Sequence, residues 1–122
     1  MSKEILERML SFPLRSQIKI HFDMKKKFFE VSVPIFSTKG QMPQSLNQYI
    51  NARQGLSFKP HETSFQFEGE KKILLHQKIP FVLEPSFRQQ VDQFWQMAKQ
   101  CHQMLNEIAI EERYKDALYL DL

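Results

Sequence analysis

The sequence predicts an α+β fold with a short N-terminal helix, an antiparallel sheet of about four to five strands, a short middle helix, and a long C-terminal helix packed on the sheet. Residues 87–108 carry apolar side chains at alternating spacings of four and three, the pattern of a helix with one buried face. Residues 16–35 and 63–79 instead alternate apolar and polar side chains, as half-buried strands do. A composition of 42% hydrophobic and 25% charged residues over 122 positions fits one globular domain, residues 1–122.

The N-terminal helix is predicted between Ser2, which can cap its first turn, and Pro13, which ends it. Its apolar residues share one face, and they are Ile5, Leu6, Met9 and Leu10.

The next segment predicts a β-hairpin. The stretch SQIKIHF alternates Ile18, Ile20 and Phe22 with polar residues, which indicates a half-buried strand. After residues 23–27 the alternation resumes at 29, 31, 33 and 35. Because Pro34 cannot donate a ladder hydrogen bond, this second strand is expected to lie at a sheet edge or to end early.

The stretch PQSLNQYINARQG predicts the middle helix. Ser45 can cap it, and Gly55 can supply the left-handed residue that ends it. Leu46, Tyr49 and Ile50 line one face of this helix.

A second hairpin is predicted in FEGEKKILLHQKIPF and the residues before it. Phe65 and Phe67 can share a face with Ile73 and Leu75 only if the turn has an odd number of residues, and a three-residue loop containing Gly69 satisfies this. The opposite face of the last strand carries apolar Leu74 beside His76 and Lys78.

The C-terminal helix is predicted from about Pro85 to at least Ile110, and residues 111–122 either extend it or form a loose arm. A second stripe of this helix is polar but almost uncharged, and could be a solvated face or a partner surface. Its members are Gln89, Gln93, Gln96, Gln100 and Gln103.

Charge is concentrated in the first half of the chain. Residues 1–59 hold ten Lys/Arg against four Asp/Glu, whereas residues 60–122 hold seven against ten. The densest part is Lys25, Lys26 and Lys27, followed by Phe28 and Phe29. This run could bind an anionic partner, with lysines on phosphate and aromatic rings stacking, or it could be a solvated hairpin turn.

No catalytic, cofactor-binding or metal-binding residues are predicted. The four histidines, His21, His61, His76 and His102, fall in four different elements without metal-ligand spacing. Cys101 lies on the apolar seam of the last helix, where a small buried hydrophobe is expected rather than a nucleophile. With three glycines in the chain, no phosphate-cradling glycine motif can be written. We therefore expect a binding protein and not an enzyme.

Three features of the sequence predict a cytoplasmic location. No apolar run approaches the ~18 residues of a membrane helix, so no membrane insertion is predicted. The N-terminus lacks the order of a secretory signal, and a single cysteine suits a reducing compartment.

The order of elements resembles the class I type III secretion chaperones, the Tir-chaperone-like family. The resemblance is specific from about Leu46 to Leu105, in the glycine turn, the apolar strand ending in Ile-Pro, and the aromatic start of the long helix. The matching residues are Gly69, Ile73 to Leu75, Ile79, Pro80, Phe87, Phe94, Trp95 and Ala98.

The resemblance implies a small dimeric, non-catalytic protein that holds the N-terminal segment of a secreted effector in an extended, export-competent state. Client contacts would then use strand edges and apolar grooves. The implied client-binding residues are Ile5, Leu6, Met9, Leu10 and Leu74. The implied subunit interface is formed by Leu46, Tyr49 and Ile50.

Two features depart from the family, whose members are generally acidic and show three strands before the middle helix. This chain has a sequence pI near 9.0, and a third strand would have to lie between residues 37 and 42. A basic chain suits a heterodimer with an acidic second chaperone, because complementary charge favours unlike pairing. The alternative function is a transcription regulator that binds RNA polymerase or nucleic acid through the basic N-terminal half.

Overall fold

A computed structural model of the protein describes residues 15–81 and 87–120, and it confirms the predicted α+β fold with the last helix packed on an antiparallel sheet. A single 3₁₀ turn, Arg15–Gln17, precedes the first strand. The remaining elements are β1 (Lys19–Asp23), β2 (Phe28–Ser37), α1 (Gln44–Asn51), β3 (Glu62–Glu68), β4 (Lys72–Pro80) and α2 (Phe87–Leu120).

The sheet has four strands in the order β1-β2-β4-β3, with every neighbouring pair antiparallel. Two hairpins, β1-β2 and β3-β4, are thus joined side by side through β2 and β4. No strand occurs between residues 38 and 43, so the third strand that the resemblance would require there is absent.

The expected position of β2 was wrong, because this strand lies in the middle of the sheet and runs through Pro34 to Ser37. Two features accommodate the proline. The ladder with β1 ends where Lys19 pairs with Ser32, before it reaches Pro34. On the side of β4, the register shifts between Pro34 and Phe36.

The second hairpin confirms the predicted loop length. Residues 69–71 connect β3 to β4, and Gly69 adopts a positive φ of 67° that suits glycine. Phe65 pairs with Leu75 and Phe67 with Ile73, so the apolar residues of both strands share one face, as the odd loop length predicted.

The core lies between one face of the sheet and the two helices. Its sheet side consists mainly of buried odd-numbered residues of β2 and β4, and α2 contributes Phe94, Ala98, Leu105 and Ala109. Phe94 is 1% exposed, which makes it the largest nearly inaccessible side chain. The predicted seam is confirmed over its middle, whereas Phe87 at the start of α2 is exposed.

Helix α1 closes the core against α2. Leu46 and Ile50 are fully buried there, and the Tyr49 hydroxyl donates to Met104 Sδ over 3.4 Å. Ser45 was expected to cap α1, but Pro43 occupies that position. The backbone N–H of Ser45 instead donates to Glu112 of α2 over 2.9 Å. This carboxylate satisfies an N–H in the first turn of α1, where negative charge is favoured.

The predicted N-terminal helix, with the client candidates Ile5, Leu6, Met9 and Leu10, lies outside the described residues. At the other end of the chain, α2 continues through residues 111–120 as an extension of the helix. None of the helices in the described ranges has the length and apolarity needed to cross a membrane.

Candidate functional site

Edge strand β1 leaves its apolar side chains uncovered. Ile20 pairs with Val31 and Phe22 with Phe29, so both point to the same side of the sheet as the core. They are nevertheless 39% and 50% exposed, because α2 packs mainly on β2 and β4 and approaches β1 at its first residue, Phe87. The half-buried strand predicted at residues 16–22 therefore forms as a strand, but with its apolar face exposed.

Phe22 belongs to an aromatic cluster at the end of the sheet where α2 begins. The ring of Phe22 lies 6.1 Å from that of Phe81 and 5.6 Å from that of Phe87. Phe29 forms the buried floor, with its ring 5.0 Å from Phe87. Phe81 and Phe87 are both about 40% exposed. We call Ile20, Phe22, Phe81 and Phe87 the β1 apolar patch.

The two edge strands of the sheet, β1 and β3, differ in how well they are protected against pairing with another strand. On β3 the core-facing residues Thr63 and Phe65 are buried, and the opposite side carries acidic residues that discourage pairing with another strand. On β1 the core-facing residues are exposed, and no strand of residues 15–81 pairs with the outer backbone edge of β1. Within the described residues, β1 is thus the edge at which an extended apolar segment could add as a further strand.

Basic and aromatic residues flank this patch on α2. Arg15 forms an ion pair with Asp92, and its guanidinium lies 5.6 Å from the centre of the Trp95 ring. The Lys99 ammonium lies 4.1 Å from the same ring. The two contacts of Arg15 hold the turn before β1 against the surface of α2.

The lysine run occupies the β1-β2 turn, where all three side chains are exposed. The Asp23 carboxylate accepts hydrogen bonds from the backbone N–H groups of Lys25 and Lys26, at 3.1 and 3.0 Å. Of the two aromatic residues that follow, Phe29 is buried and Phe28 is half-buried beneath the Lys78 ammonium. An open cleft of about 430 Å³ lies alongside, lined by Lys26, Lys27, Phe28, His61, Glu62, Lys78 and Pro80.

The structure corrects the interface predicted for α1. Leu46 and Ile50 are 0% exposed within the single chain, so neither offers surface to a partner. Tyr49 is half-buried, and the Arg53 guanidinium covers its ring at 3.5 Å from the centre. The apolar face of α1 was recognised correctly, but it is used to close the core against α2.

Leu74, the fifth client candidate, is half-buried on the other side of the sheet, opposite to the β1 apolar patch. We call this side the outer sheet face. It consists of the strand residues that alternate with the buried ones, and neither α1 nor α2 packs on it. Leu74 and the β1 apolar patch therefore cannot form one continuous groove on the same face.

His102 joins α2 to the centre of the sheet. Its Nδ1–H donates to the carbonyl oxygen of Ile35 over 2.7 Å, and Asn106 Nδ2 lies 3.1 Å from Nε2. Burial lowers the pKa of His102, and the hydrogen bond to Ile35 opposes this in part. Within residues 15–81 and 87–120, no three or more His, Cys, Asp or Glu side chains lie close enough together to hold a metal ion.

Cys101 is expected to react slowly with thiol reagents in the folded protein. Burial raises the pKa of this thiol from 9.0 to about 11, which lowers the thiolate fraction near pH 8 about a hundredfold. We expect labelling by a chromogenic disulfide reagent to be at least about tenfold slower in the native protein than in urea. Equal rates in the two states would contradict this placement.

Sequence reasoning missed Phe81 and the exposed role of Phe87. Both are apolar residues at element ends, a position that gives no periodic signal. The exposure of Ile20 and Phe22 was also missed, because an alternating strand pattern normally indicates a covered face. No protein-family model matches this chain, and no curated protein or solved structure is significantly similar to it.

Proposed function

We propose that this protein is a non-catalytic chaperone of the class I type III secretion kind. It binds the N-terminal segment of a secreted effector and keeps that segment soluble and export-competent in the cytoplasm. Its partners are this client and a second subunit, either another copy or an acidic chaperone. The resemblance in the order of elements motivates this assignment.

One observation carries the proposal, namely the exposed apolar side chains on β1, a strand whose outer edge is paired with no other described strand. A client segment adding beside β1 would receive backbone hydrogen bonds from the edge, and its apolar side chains would pack on Phe22 and its aromatic neighbours. Large exposed apolar patches on a small protein mark interaction surfaces. Ile20 and Phe22 are therefore added to the client-binding candidates. Leu74 lies on the opposite face of the sheet and is not part of this site.

The test is a comparison of Phe22→Asp with a matched control. Leu56→Asp introduces the same charge at an exposed apolar residue in the loop after α1. Tagged wild type and both variants would be expressed in the native organism and captured after nuclease treatment at raised salt. We expect wild type and Leu56→Asp to retain the same secreted protein, and Phe22→Asp to lose it by about tenfold or more, since burying one aromatic side chain is worth about 1.5–3 kcal/mol.

Two further measurements make this test specific. Limited proteolysis of the purified complex should show protection of an N-terminal client segment. Hydrogen exchange should slow at the outward backbone amides of residues 19–23, as strand addition requires. Equal capture by Phe22→Asp, or protection elsewhere in the client, would contradict the proposal.

The cleft beside the β1-β2 turn favours a second candidate, a regulator that binds RNA polymerase or nucleic acid. Three lysines and His61 line this cleft with Phe28 and one carboxylate, Glu62, and the excess of basic groups suits a phosphate group next to an aromatic contact. This function predicts binding that disappears with nuclease or raised salt, or capture of polymerase subunits only. Binding of a client through apolar contacts should instead persist at raised salt.

A further inference from the structure

The helices cover only part of the core-facing side of the sheet. α2 packs mainly on the central strands β2 and β4, and α1 lies on the β3 side of α2. There the ring of Tyr49 lies 6.0 Å from the ring of Phe65 on β3. On the other side of α2, over β1, no helix within residues 15–81 and 87–120 takes a corresponding place, and the β1 apolar patch is exposed. The sheet thus has room beside α2 for one more covering segment.

The first described residue lies at this gap. Arg15 contacts Asp92 and Trp95 of α2, which places the chain on the core-facing side of the sheet before β1 begins at Lys19. Residues 1–14 are therefore attached to the structure between α2 and β1, next to the β1 apolar patch.

Two apolar side chains of α2 next to this gap are shielded although they lie outside the core. Val91 is 8% exposed, and Trp95, one helical turn later, is half-buried. Neither of them belongs to the core cluster or to the hydrophobic residues packed against it. Their burial favours a second cover on the β1 side of α2, supplied by residues outside the described ranges.

The N-terminal segment has the length and the pattern to fill the gap. Residues 2–12 would span about 16 Å as a helix, and the two linking residues before Arg15 add up to about 7 Å. Arg15 and Phe22 are separated by roughly 20 Å, from a rise of ~2.0 Å per residue in the 3₁₀ turn and ~3.4 Å in the strand. The segment can therefore reach the patch with its apolar face, which consists of Ile5, Leu6, Met9 and Leu10.

The apolar face of the segment and the β1 apolar patch are complementary. An isolated helix of this length is marginally stable in water, so its formation depends on burying its apolar face. The patch residues are between 39% and 50% exposed and are large and apolar. Because the segment is attached beside the patch, its effective concentration there is of about millimolar order, which favours it over a separate partner present at micromolar concentration.

We propose that residues 2–12 fold back as a helix between α2 and β1 and cover the β1 apolar patch in the free protein. The apolar face of the segment then packs on Ile20 and Phe22. Covering an edge strand in this way prevents it from pairing with unrelated chains. A client that binds at this patch, a step that rests on the proposed function, has to displace the segment first.

The experiment measures how strongly the segment shields β1 from a thiol reagent. Ile20→Cys, made in a Cys101→Ala background, places one reactive thiol in the patch of the full chain. Met9→Asp is then added to release the segment, because burying a carboxylate without a partner is unfavourable. We expect maleimide labelling at residue 20 to become about fivefold faster or more, since the patch is then open in most molecules.

Two controls accompany this comparison. Ser11→Asp introduces the same charge two positions further on, about 200° around the predicted helix, and should leave the labelling rate unchanged. His21→Cys, on the outer sheet face, should be labelled at the same rate whichever N-terminal segment is present. Circular dichroism would confirm that each variant is folded. Equal labelling of Ile20→Cys with the intact segment and with Met9→Asp would overturn the proposal.

A second measurement separates this proposal from the proposed function. With Ile20 and Cys101 restored, we expect Met9→Asp to bind the secreted protein captured by wild type about fivefold more tightly, because the fraction of molecules with an open patch rises. Faster labelling with unchanged client affinity would retain the cover and overturn client binding at the patch. Weaker client binding would overturn the displacement, since Met9 would then contact the client itself. If wild type captures no secreted protein, the proposed function fails, and the labelling rates still decide whether the segment covers the patch.

Discussion

Replacing Phe94 with alanine is expected to lower the free energy of unfolding by about 3–5 kcal/mol. Phe94 is 1% exposed and belongs to the core cluster shared by α2 and the sheet. Removing its ring eliminates buried apolar contacts and leaves a cavity that the close-packed surroundings can fill only in part. Urea unfolding followed by circular dichroism would measure the change.

The matched control is Phe87→Ala, the same substitution in the same helix. Phe87 is 42% exposed, so its ring contributes less burial and we expect a loss of about 1 kcal/mol. Equal losses for the two variants would show that Phe94 does not anchor α2 to the sheet. A comparable m-value in both unfolding curves is needed for this comparison.

The second large effect is expected at Thr63, where a buried polar contact joins β3, β4 and the preceding turn. Thr63 Oγ1 donates to the carbonyl oxygen of Pro60 over 2.6 Å and accepts from Gln77 Nε2 over 2.9 Å. Thr63 is 0% and Gln77 2% exposed. Thr63→Val should cost about 1–3 kcal/mol, because the Gln77 amide then keeps only its 3.2 Å bond to Pro60.

A double-mutant cycle tests whether this cost arises from the unpaired amide. Thr63→Val combined with Gln77→Leu should cost less than the sum of the two single changes, since each single change already removes the bond between Thr63 and Gln77, although the Pro60 carbonyl oxygen loses both side-chain donors in the double variant. Ser64→Ala removes a hydroxyl from the neighbouring residue, on the outer sheet face, and should change stability by less than about 0.5 kcal/mol. Additive effects at Thr63 and Gln77 would contradict the proposed coupling.

The sequence alone identified some parts of the candidate site and not others. The segment containing β1 and its alternating residues was recognised. The patch itself was not, because it joins Phe22 to Phe81 and Phe87, which are distant along the chain and adjacent only in the fold. The sequence showed that Leu74 is an apolar residue on the face of β4 opposite to the core. Its position beside Pro34 could be known only from the pairing of β2 with β4.

The interface expected at α1 illustrates the same limitation. Leu46 and Ile50 lie on one face of a helix in the sequence and in the structure. The spacing of apolar residues indicates that such a face is covered, but it does not indicate which element or which subunit covers it. The core of the same chain covers it here, because α2 passes directly over α1.

The sequence by itself determined the local features of this protein, since strand alternation, helical spacing and the odd loop length at Gly69 depend on neighbouring residues and on backbone geometry. Only the tertiary structure decided which strand lies at an edge. Pro34 suggested an edge for β2, but the pairing of β2 with β4 placed β1 there. Coverage of a face depends on where distant elements pack, and α2 reaches β2 and β4 while leaving Ile20 and Phe22 exposed.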